Sequence, residues 1–227
     1  MKKRLLSLVA SGAVALAAQQ VAAQSLLLNE NFESPAFPPS GWVAHDADGD
    51  GNTWELTSDG MFSQSGSSRQ IAISFARNPK DYYAGIYGPQ DNWLVTPEFT
   101  VKNASVTLEF EYCAQDCENT EPIEVLISET GGSGIADFAT TLWTANVDNG
   151  FEDTPVVSSK KIGLSEYTGK TVRVAFRHKT NGTYGLSIDN VTVNNQMGPQ
   201  TPKWYEVTAD AAGGNSVYIK WLNPAKN

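Results

Sequence analysis

The stretch ASVTLEFEY, residues Ala104–Tyr112, decides the fold class of this chain. Apolar side chains at Val106, Leu108, Phe110 and Tyr112 alternate with polar ones. A period of two places these four side chains on one face of a β-strand. After residue 23 we find no convincing run of apolar residues at the helical spacing i, i+3, i+4 and i+7. The sequence therefore predicts an all-β protein.

Further segments with an alternating or continuous β pattern lie on both sides of this stretch. They are Leu26–Phe32, Gln70–Phe75, Ile123–Ser128, Val156–Ile162, Val172–His178 and Leu186–Val193. Clusters of Gly, Pro, Ser and Asn separate them, as in residues 38–41, 131–134 and 180–182. About eight short strands joined by long loops predict an antiparallel β-sandwich of the jelly-roll kind.

The N-terminus has the organisation of a secretory signal peptide. Lys2, Lys3 and Arg4 precede the apolar run Leu5–Ala18, and small residues follow up to Ala23. A membrane helix is the alternative, but a span needs roughly 20 continuous apolar residues. We therefore expect cleavage after residue 23, export, and a secreted or cell-surface location, with no membrane span in the mature chain.

The mature chain is strongly acidic. The full sequence has 16 Lys and Arg, three of them before residue 24, against 25 Asp and Glu, so the formal charge after cleavage is −12. Such a surface repels phosphate backbones and attracts divalent cations, which argues against nucleic-acid binding.

Two cysteines, Cys113 and Cys117, lie four residues apart. On a straight strand their Cα atoms would be about 13 Å apart, so a disulfide requires a turn between them. Export permits a disulfide. The spacing leaves a local bridge and two free thiols as open alternatives.

The C-terminal part differs in composition from the rest. We expect a signal peptide over residues 1–23, the sandwich over 24–195, a polar linker over 196–203 and a β-hairpin over 204–227. An isolated hairpin is marginally stable in water. We interpret this hairpin as the start of a truncated fibronectin type III-like domain.

The loop that follows Gly41-Trp42 carries the sharpest chemical signal. Oxygen-bearing side chains recur at every second position, at Asp46, Asp48, Asp50 and Asn52. Gly49 and Gly51 allow the backbone to fold these oxygens inward. Hard oxygen ligands in a flexible loop are typical of Ca²⁺ sites. An EF-hand beginning at Asp46 would need Glu where the chain has Thr57, and a solvated acidic turn is the alternative.

Three more acidic residues lie in less specific surroundings. Glu33 closes the first strand, Asp91 precedes an apolar segment, and Asp189 lies within the apolar strand near the end of the sandwich. A carboxylate without a partner inside an apolar strand is costly, so Asp189 is the strongest ligand candidate of the three. Each of them taken alone is better explained as a plain edge residue.

The sequence favours a binding module over an enzyme. His45 and His178 are the two histidines, and neither belongs to a known catalytic motif. The chain has no Gly-x-Ser-x-Gly elbow, no His-Glu-x-x-His motif and no phosphate-binding glycine loop. We expect His178 to be a structural residue at a strand end and His45 to flank the calcium loop.

An ordered set of motifs resembles a known family over Leu26–Val193. The set comprises Phe32-Glu33, Gly41-Trp42 with the loop to Trp54, Asp91–Pro97, Leu164–His178 and Ile188–Val191. In this order and spacing the motifs resemble the cleaved adhesin domain, also grouped with choice-of-anchor J domains. These modules follow gingipain-type protease domains and occur in related haemagglutinins.

The resemblance implies a jelly-roll sandwich like that of MAM domains, with structural calcium and a role in adhesion. It assigns calcium ligands to Asp46, Asp48, Asp50 and Asn52. A second cluster joining the first and last strands would use Glu33 and Asp189, with Asp91 as a further member.

The expected partner is a protein or glycan outside the cell. An accessory carbohydrate-binding module of a larger secreted enzyme is the alternative function, with Tyr82, Tyr83 and Tyr87 as candidate sugar-stacking residues. A structural spacer in a larger exported protein is a third. The oligomeric state cannot be inferred from the sequence.

Overall fold

The computed structural model describes residues 25–58, 70–76, 88–115, 120–148, 156–181 and 184–195, with the backbone of 204–209 and 217–221. The expected signal peptide, the linker, Cys117 and the three candidate tyrosines lie outside the described residues. One compact unit spans Gln24–Gly198. Among the described residues, no helix has the length and apolarity that a bilayer span requires.

Twelve strands are described within this unit. They are β1 (Ser25–Glu30), β2 (Val43–Asp46), β3 (Glu55–Thr57), β4 (Ile71–Phe75), β5 (Gln90–Val95), β6 (Phe99–Thr100), β7 (Val106–Ala114), β8 (Glu121–Ser128), β9 (Thr140–Val147), β10 (Ser158–Gly163), β11 (Thr171–Thr180) and β12 (Gly185–Asn195). One sheet has the order β10-β7-β12-β4-β3, with β1 also on β12. The other has the order β2-β5-β11-β8-β9, with β6 also on β11.

Every described pairing in these two sheets is antiparallel, and the predicted all-β sandwich is confirmed. The alternating stretch Ala104–Tyr112 forms most of β7, whose Val106, Leu108 and Phe110 are buried. The strand count was underestimated, because β2, β3, β5, β6 and β9 were not predicted as strands.

The core lies between the two sheets. Phe110 of β7 and Phe176 of β11 meet edge to face with their ring centroids 5.0 Å apart. Both side chains are almost completely buried. Burial of one such side chain contributes roughly 1.5–3 kcal/mol, so this contact is a principal link between the sheets.

A smaller apolar cluster covers the outer face of the second sheet. Trp93 packs there against Phe138, which follows the 3₁₀ helix Ile135–Asp137, with ring centroids 6.0 Å apart. His45 Nε2 lies 2.7 Å from the Ser133 carbonyl oxygen. These contacts fix the loop between β8 and β9 beside the end of β2.

Strand β12 is bent by an irregularity in its register. Pairing with β7 shifts between Asp189 and Thr192, and Asn190 has a left-handed φ of 48°. The first part of β12 pairs with β4 and the last part with β1. The bulge therefore places Asp189 where these two neighbouring strands meet the long strand.

The C-terminal hairpin consists of β13 (Trp204–Ala209) and β14 (Val217–Trp221), which pair antiparallel. It lies outside the compact unit that contains the sandwich. The predicted hairpin is thus confirmed, while its membership of a fibronectin type III-like domain stays a prediction.

Of the two cysteines, Cys113 lies within the described residues. Cys113 is a free thiol and is completely buried. Burial raises its pKa to about 12.

Candidate metal centre

Three aspartates converge in the loop that connects β2 to β3. Each of Asp46, Asp48 and Asp50 offers a carboxylate oxygen, and these oxygens all lie within 4.8 Å of one another. Asp46 ends β2 and pairs in register with Asn92 of β5. The loop therefore starts from a fixed point on the second sheet.

Backbone amides shape the loop around Asp46. The Gly49 N–H donates to Asp46 Oδ1 at 2.6 Å, and the Gly51 N–H donates to Asp46 Oδ2 at 2.8 Å. The φ angles of Gly49 and Gly51 are 77° and 86°, in the left-handed region that glycine adopts without strain. The two glycines thus turn the chain so that the following aspartates face Asp46.

Asp50 is held from two directions. The Asn52 backbone N–H donates to its Oδ1 at 2.7 Å, and Asn52 Nδ2 donates to its Oδ2 at 2.7 Å. Gln90 Nε2, at the start of β5, also donates to Oδ2 at 2.8 Å. Gln90 is a contact that sequence reasoning missed, because it lies 40 residues away along the chain.

Strand β5 supports the remaining part of the loop. The Asp91 N–H donates to Asp48 Oδ2 at 3.2 Å, and the Ala47 N–H donates to the Asp91 carbonyl at 3.0 Å. The loop is therefore attached through its backbone to the strand beside it.

The electrostatics of the cluster show that its carboxylates repel one another. Asp48 is exposed to solvent, but partial desolvation by the folded loop, the hydrogen bond to Asp46 and the nearby charge of Asp50 raise its pKa to about 6. Burial acts to raise the pKa of Asp46 as well. However, the hydrogen bond with Asp48 and the N–H groups of Gly51 and Gly49 outweigh burial, so the pKa of Asp46 is lowered. Within the described part of the chain, no ion pair involves these three aspartates.

Asp91 lies in a different environment from the one the resemblance implies. Arg177 of β11 binds both of its carboxylate oxygens at 2.6 Å, and Trp93 Nε1 donates to Oδ1 at 2.8 Å. Lys179 lies 3.7 Å from its Oδ2. The structure gives this carboxylate a built-in cation and leaves it outside the aspartate cluster.

Glu33 and Asp189 also lie outside the cluster, at the first sheet. The Gln70 N–H donates to Glu33 Oε1 at 3.3 Å. Asp189 is completely buried and accepts hydrogen bonds from the Asn190 backbone N–H at 2.7 Å and from Asn190 Nδ2 at 3.4 Å. Residue 70 directly precedes β4 and residue 33 follows β1, and both strands pair with β12. The topology therefore brings Glu33 and Asp189 toward the same part of the first sheet, and a shared metal site there stays a prediction.

A buried Ser–His–Glu arrangement was not foreseen. His178 Nδ1 lies 2.9 Å from Ser74 Oγ, and His178 Nε2 lies 3.0 Å from Glu121 Oε2. These contacts have the connectivity of a hydrolytic triad. All three residues are 0% exposed, so no substrate reaches the hydroxyl. The arrangement is a packed polar network, and His178 is a structural residue.

A search against protein families matches residues 25–193 with the model described as "Cleaved Adhesin Domain". Members of this family are non-catalytic adhesin modules. Hemagglutinin A of Porphyromonas gingivalis is 32% identical over 188 residues, which cover 76% of this chain and 7% of that protein. The chain thus spans less than a tenth of the length of this relative.

Solved structures show the same fold. The K3 cleaved adhesin domain of Lys-gingipain from Porphyromonas gingivalis W83 is 29% identical and superposes with a TM-score of 0.57, covering 75% of this chain and 98% of that domain. TmCBM61, solved in complex with β-1,4-galactotriose, is 12% identical with a TM-score of 0.51, covering 74% of this chain and 97% of that one. The second likeness concerns the fold alone.

Proposed function

Because the chain belongs to the cleaved adhesin family, we propose that it is an exported, calcium-binding adhesion module that binds a protein or glycan outside the cell. The observation that carries the proposal is the convergence of Asp46, Asp48 and Asp50 without a basic partner in the described residues. The N-terminal signal-like segment and the acidic mature chain support export and calcium binding.

The residues of the loop fit calcium. Three carboxylates and the Asn52 side-chain oxygen are hard ligands, and Ca²⁺ accepts six to eight of them in irregular geometry. Asn52 already donates its Nδ2 to Asp50, so its Oδ1 is the atom that remains for a cation. A bound cation would offset the desolvation and the neighbouring negative charge that together raise the pKa of Asp48.

A second calcium site is proposed at Glu33 and Asp189. Its support is the position of Asp189 at the bulge of β12, its complete burial, and the contact of Glu33 with Gln70, which directly precedes the neighbouring strand β4. A buried carboxylate is stabilised by pairing with a cation. This site would connect the entry of the chain into the sandwich with its last strand.

The proposed role of calcium is to fix the loop beside a binding surface. His45 precedes the loop and contacts Ser133, which lies in the loop between β8 and β9. Loops at the end of a rigid sandwich commonly carry recognition residues. Order in the calcium loop would therefore extend to its neighbour through this contact.

Calcium binding is tested by thermal unfolding with calcium and with a chelator. A ligand that binds only the folded state at a hundredfold excess over its Kd stabilises by about 2.7 kcal/mol. We expect Asp48→Ala to remove most of this increment. Glu55→Ala is the matched control, since Glu55 lies on β3 outside the cluster. Equal increments in all three proteins would disprove the assignment.

Adhesion is tested separately on the calcium-loaded protein. A glycan array and a panel of extracellular matrix proteins would identify the class of partner. Binding that disappears with chelator and in Asp48→Ala supports the proposal. Stable, calcium-loaded protein that binds neither class would favour the structural spacer.

A further inference from the structure

A chain of hydrogen bonds runs from the aspartate loop into the core. Gln90 Nε2 donates to Asp50 Oδ2 at 2.8 Å. Asn92 Nδ2 donates to Gln90 Oε1 at 2.8 Å and to Ser74 Oγ at 3.1 Å. Gln90 is 3% exposed and the other two of these core residues are 0% exposed. The polar path therefore leaves the surface at Asp50 and continues in the interior.

The second half of this hydrogen-bond path lies between the two sheets and ends at the Glu121 carboxylate. Ser74 Oγ lies 2.9 Å from His178 Nδ1, and His178 Nε2 lies 3.0 Å from Glu121 Oε2. The other oxygen of Glu121 accepts the backbone N–H groups of Tyr184 and Gly185, both at 2.6 Å. Ser74 belongs to the first sheet, whereas Asn92, His178 and Glu121 belong to the second. The path thus connects both sheets.

The two ends fix the direction of every hydrogen bond between them. An ionised carboxylate only accepts, so Asp50 requires the amino group of Gln90 and turns its carbonyl oxygen toward Asn92. Asn92 must then present its amino group to both neighbours. Ser74 Oγ accepts a hydrogen bond from Asn92, and its hydroxyl group donates a hydrogen bond to His178 Nδ1. Of the two neutral tautomers of His178, the Nε2–H form is the one that fits these contacts, because Glu121 accepts from Nε2.

A buried oxygen without a hydrogen-bond partner supports this orientation of the Asn92 amide. Asn92 Oδ1 is buried and has no hydrogen-bond partner among the described residues. Rotation of the Asn92 amide would set its oxygen against the carbonyl oxygen of Gln90. Asn92 is thus held in its orientation by its two neighbours, even though one buried acceptor stays unsatisfied.

We propose that Gln90 is a positioning residue for Asp50 in the calcium loop, and that the same glutamine, through this hydrogen-bond chain, fixes the Nε2–H tautomer of His178. The inference rests on the proposed calcium site. Gln90 donates to the same oxygen that Asn52 Nδ2 contacts, so it limits where the Asp50 carboxylate can point. Loss of that contact would leave Asp50 to be positioned by local contacts alone.

The test compares two buried glutamines in the full chain. Gln90→Met removes both hydrogen bonds while keeping the side-chain length. Gln115→Met is the matched control, since Gln115 is 5% exposed and donates to Ser187 Oγ at 2.6 Å, away from the loop. Calcium affinity is measured by titration calorimetry. We expect Gln90→Met to weaken calcium binding about tenfold and Gln115→Met to leave it within about twofold.

A spectroscopic readout follows the far end of the chain. The sequence has two histidines, so ¹⁵N-histidine labelling gives two imidazoles, and His45→Gln assigns them. In the wild type we expect His178 to show the Nε2–H pattern with and without calcium. In Gln90→Met, Asn92 is released to rotate and accept from Ser74. The His178 nitrogen shifts then move away from that pattern, whereas they stay in place in Gln115→Met.

The outcomes separate the two proposals. Weaker calcium binding and altered His178 shifts in Gln90→Met alone support the inference. Wild-type calcium affinity in Gln90→Met, equal weakening in both variants, or unchanged His178 shifts overturn it while the calcium site stands. A wild-type protein that binds no calcium overturns the calcium site and this inference together.

Discussion

Two acidic clusters contact β5 and differ in what neutralises their charge. The first is the aspartate loop, whose carboxylates have no ion-pair partner within the described residues. The second is the Arg177 network, in which Arg177 binds Asp91 at 2.6 Å and Glu124 at 2.9 Å. Arg177 also lies over the Trp93 ring, with its guanidinium carbon 4.7 Å from the ring centroid.

The contrast explains why we propose a metal for only one of the two clusters. Burial raises the pKa of Asp91, but the hydrogen bonds and charge of Arg177 outweigh burial, so this pKa is lowered. In the loop, partial desolvation and neighbouring carboxylates raise the pKa of Asp48 to about 6. A carboxylate cluster with its own guanidinium is complete, whereas one without a protein cation is a candidate for an external one.

The largest effect is expected when the second cluster loses its cation. Arg177→Met leaves Asp91 and Glu124 without their guanidinium partner. We expect a loss of about 2–3 kcal/mol in the free energy of unfolding, since Arg177 and Asp91 are 19% and 18% exposed and partly desolvated. Urea denaturation with calcium present measures this loss.

The matched control for this variant is Lys161→Met, which breaks an exposed ion pair with Glu109. Such a pair contributes about 0–1 kcal/mol. Similar losses in the two variants would contradict the distinction between a built-in cation and a surface ion pair.

A smaller effect is expected when the loop receives a cation of its own. Asp48→Lys places an ammonium group beside Asp46 and Asp50, and we expect the calcium-induced rise in Tm to disappear. Without calcium, the variant should gain no more than about 1 kcal/mol, because the site is exposed. Scanning calorimetry with calcium and with chelator gives both values. A full calcium response in Asp48→Lys would place the ion elsewhere.

The smallest expected effect is on the pH dependence of folding stability. A change in pH should alter the stabilising contributions of the two clusters in opposite directions. The pKa of Asp48 is higher in the ion-free folded state than its unfolded value of 3.8, so its stabilising contribution is lost as pH rises from about 4 to about 6. The pKa of Asp91 is lowered, so its contribution is lost as pH falls below about 4. Solvent screening keeps the Asp48 effect small.

Chelated wild-type, Asp48→Asn and Asp91→Asn proteins separate the two contributions. Relative to Asp48→Asn, the wild type should lose stability between about pH 4 and pH 6. Relative to Asp91→Asn, the wild-type advantage should shrink below about pH 4. Parallel pH profiles for all three proteins would remove the contrast.

The loop was predictable because its geometry is local. Asp46, Asp48 and Asp50 lie within five consecutive positions that also include a glycine. The turn forms within the same segment. Asp91 was less tractable, since its partner Arg177 lies 86 residues away and joins it through the pairing of β5 with β11. Nothing in the sequence around Asp91 indicates that β5 pairs with β11.

The same buried polar chain explains why β5 was missed as a strand. Gln90, Asn92 and Leu94 occupy alternate positions and are all buried, so the inward row of this strand begins with two amides. Periodicity analysis expects apolar residues in an inward row. The sandwich was still predictable, because β7, β8, β11 and β12 carry apolar inward rows.

The buried thiol of Cys113 allows local opening of the fold to be measured from its rate of alkylation. A thiol with a pKa of about 12 and no exposure does not react with alkylating reagents while the sandwich is closed. Once Cys117 is replaced by Ser, the alkylation rate reports the fraction of molecules in which β7 has separated from its neighbours. Mass spectrometry of the alkylated protein then measures local opening of the first sheet under native conditions.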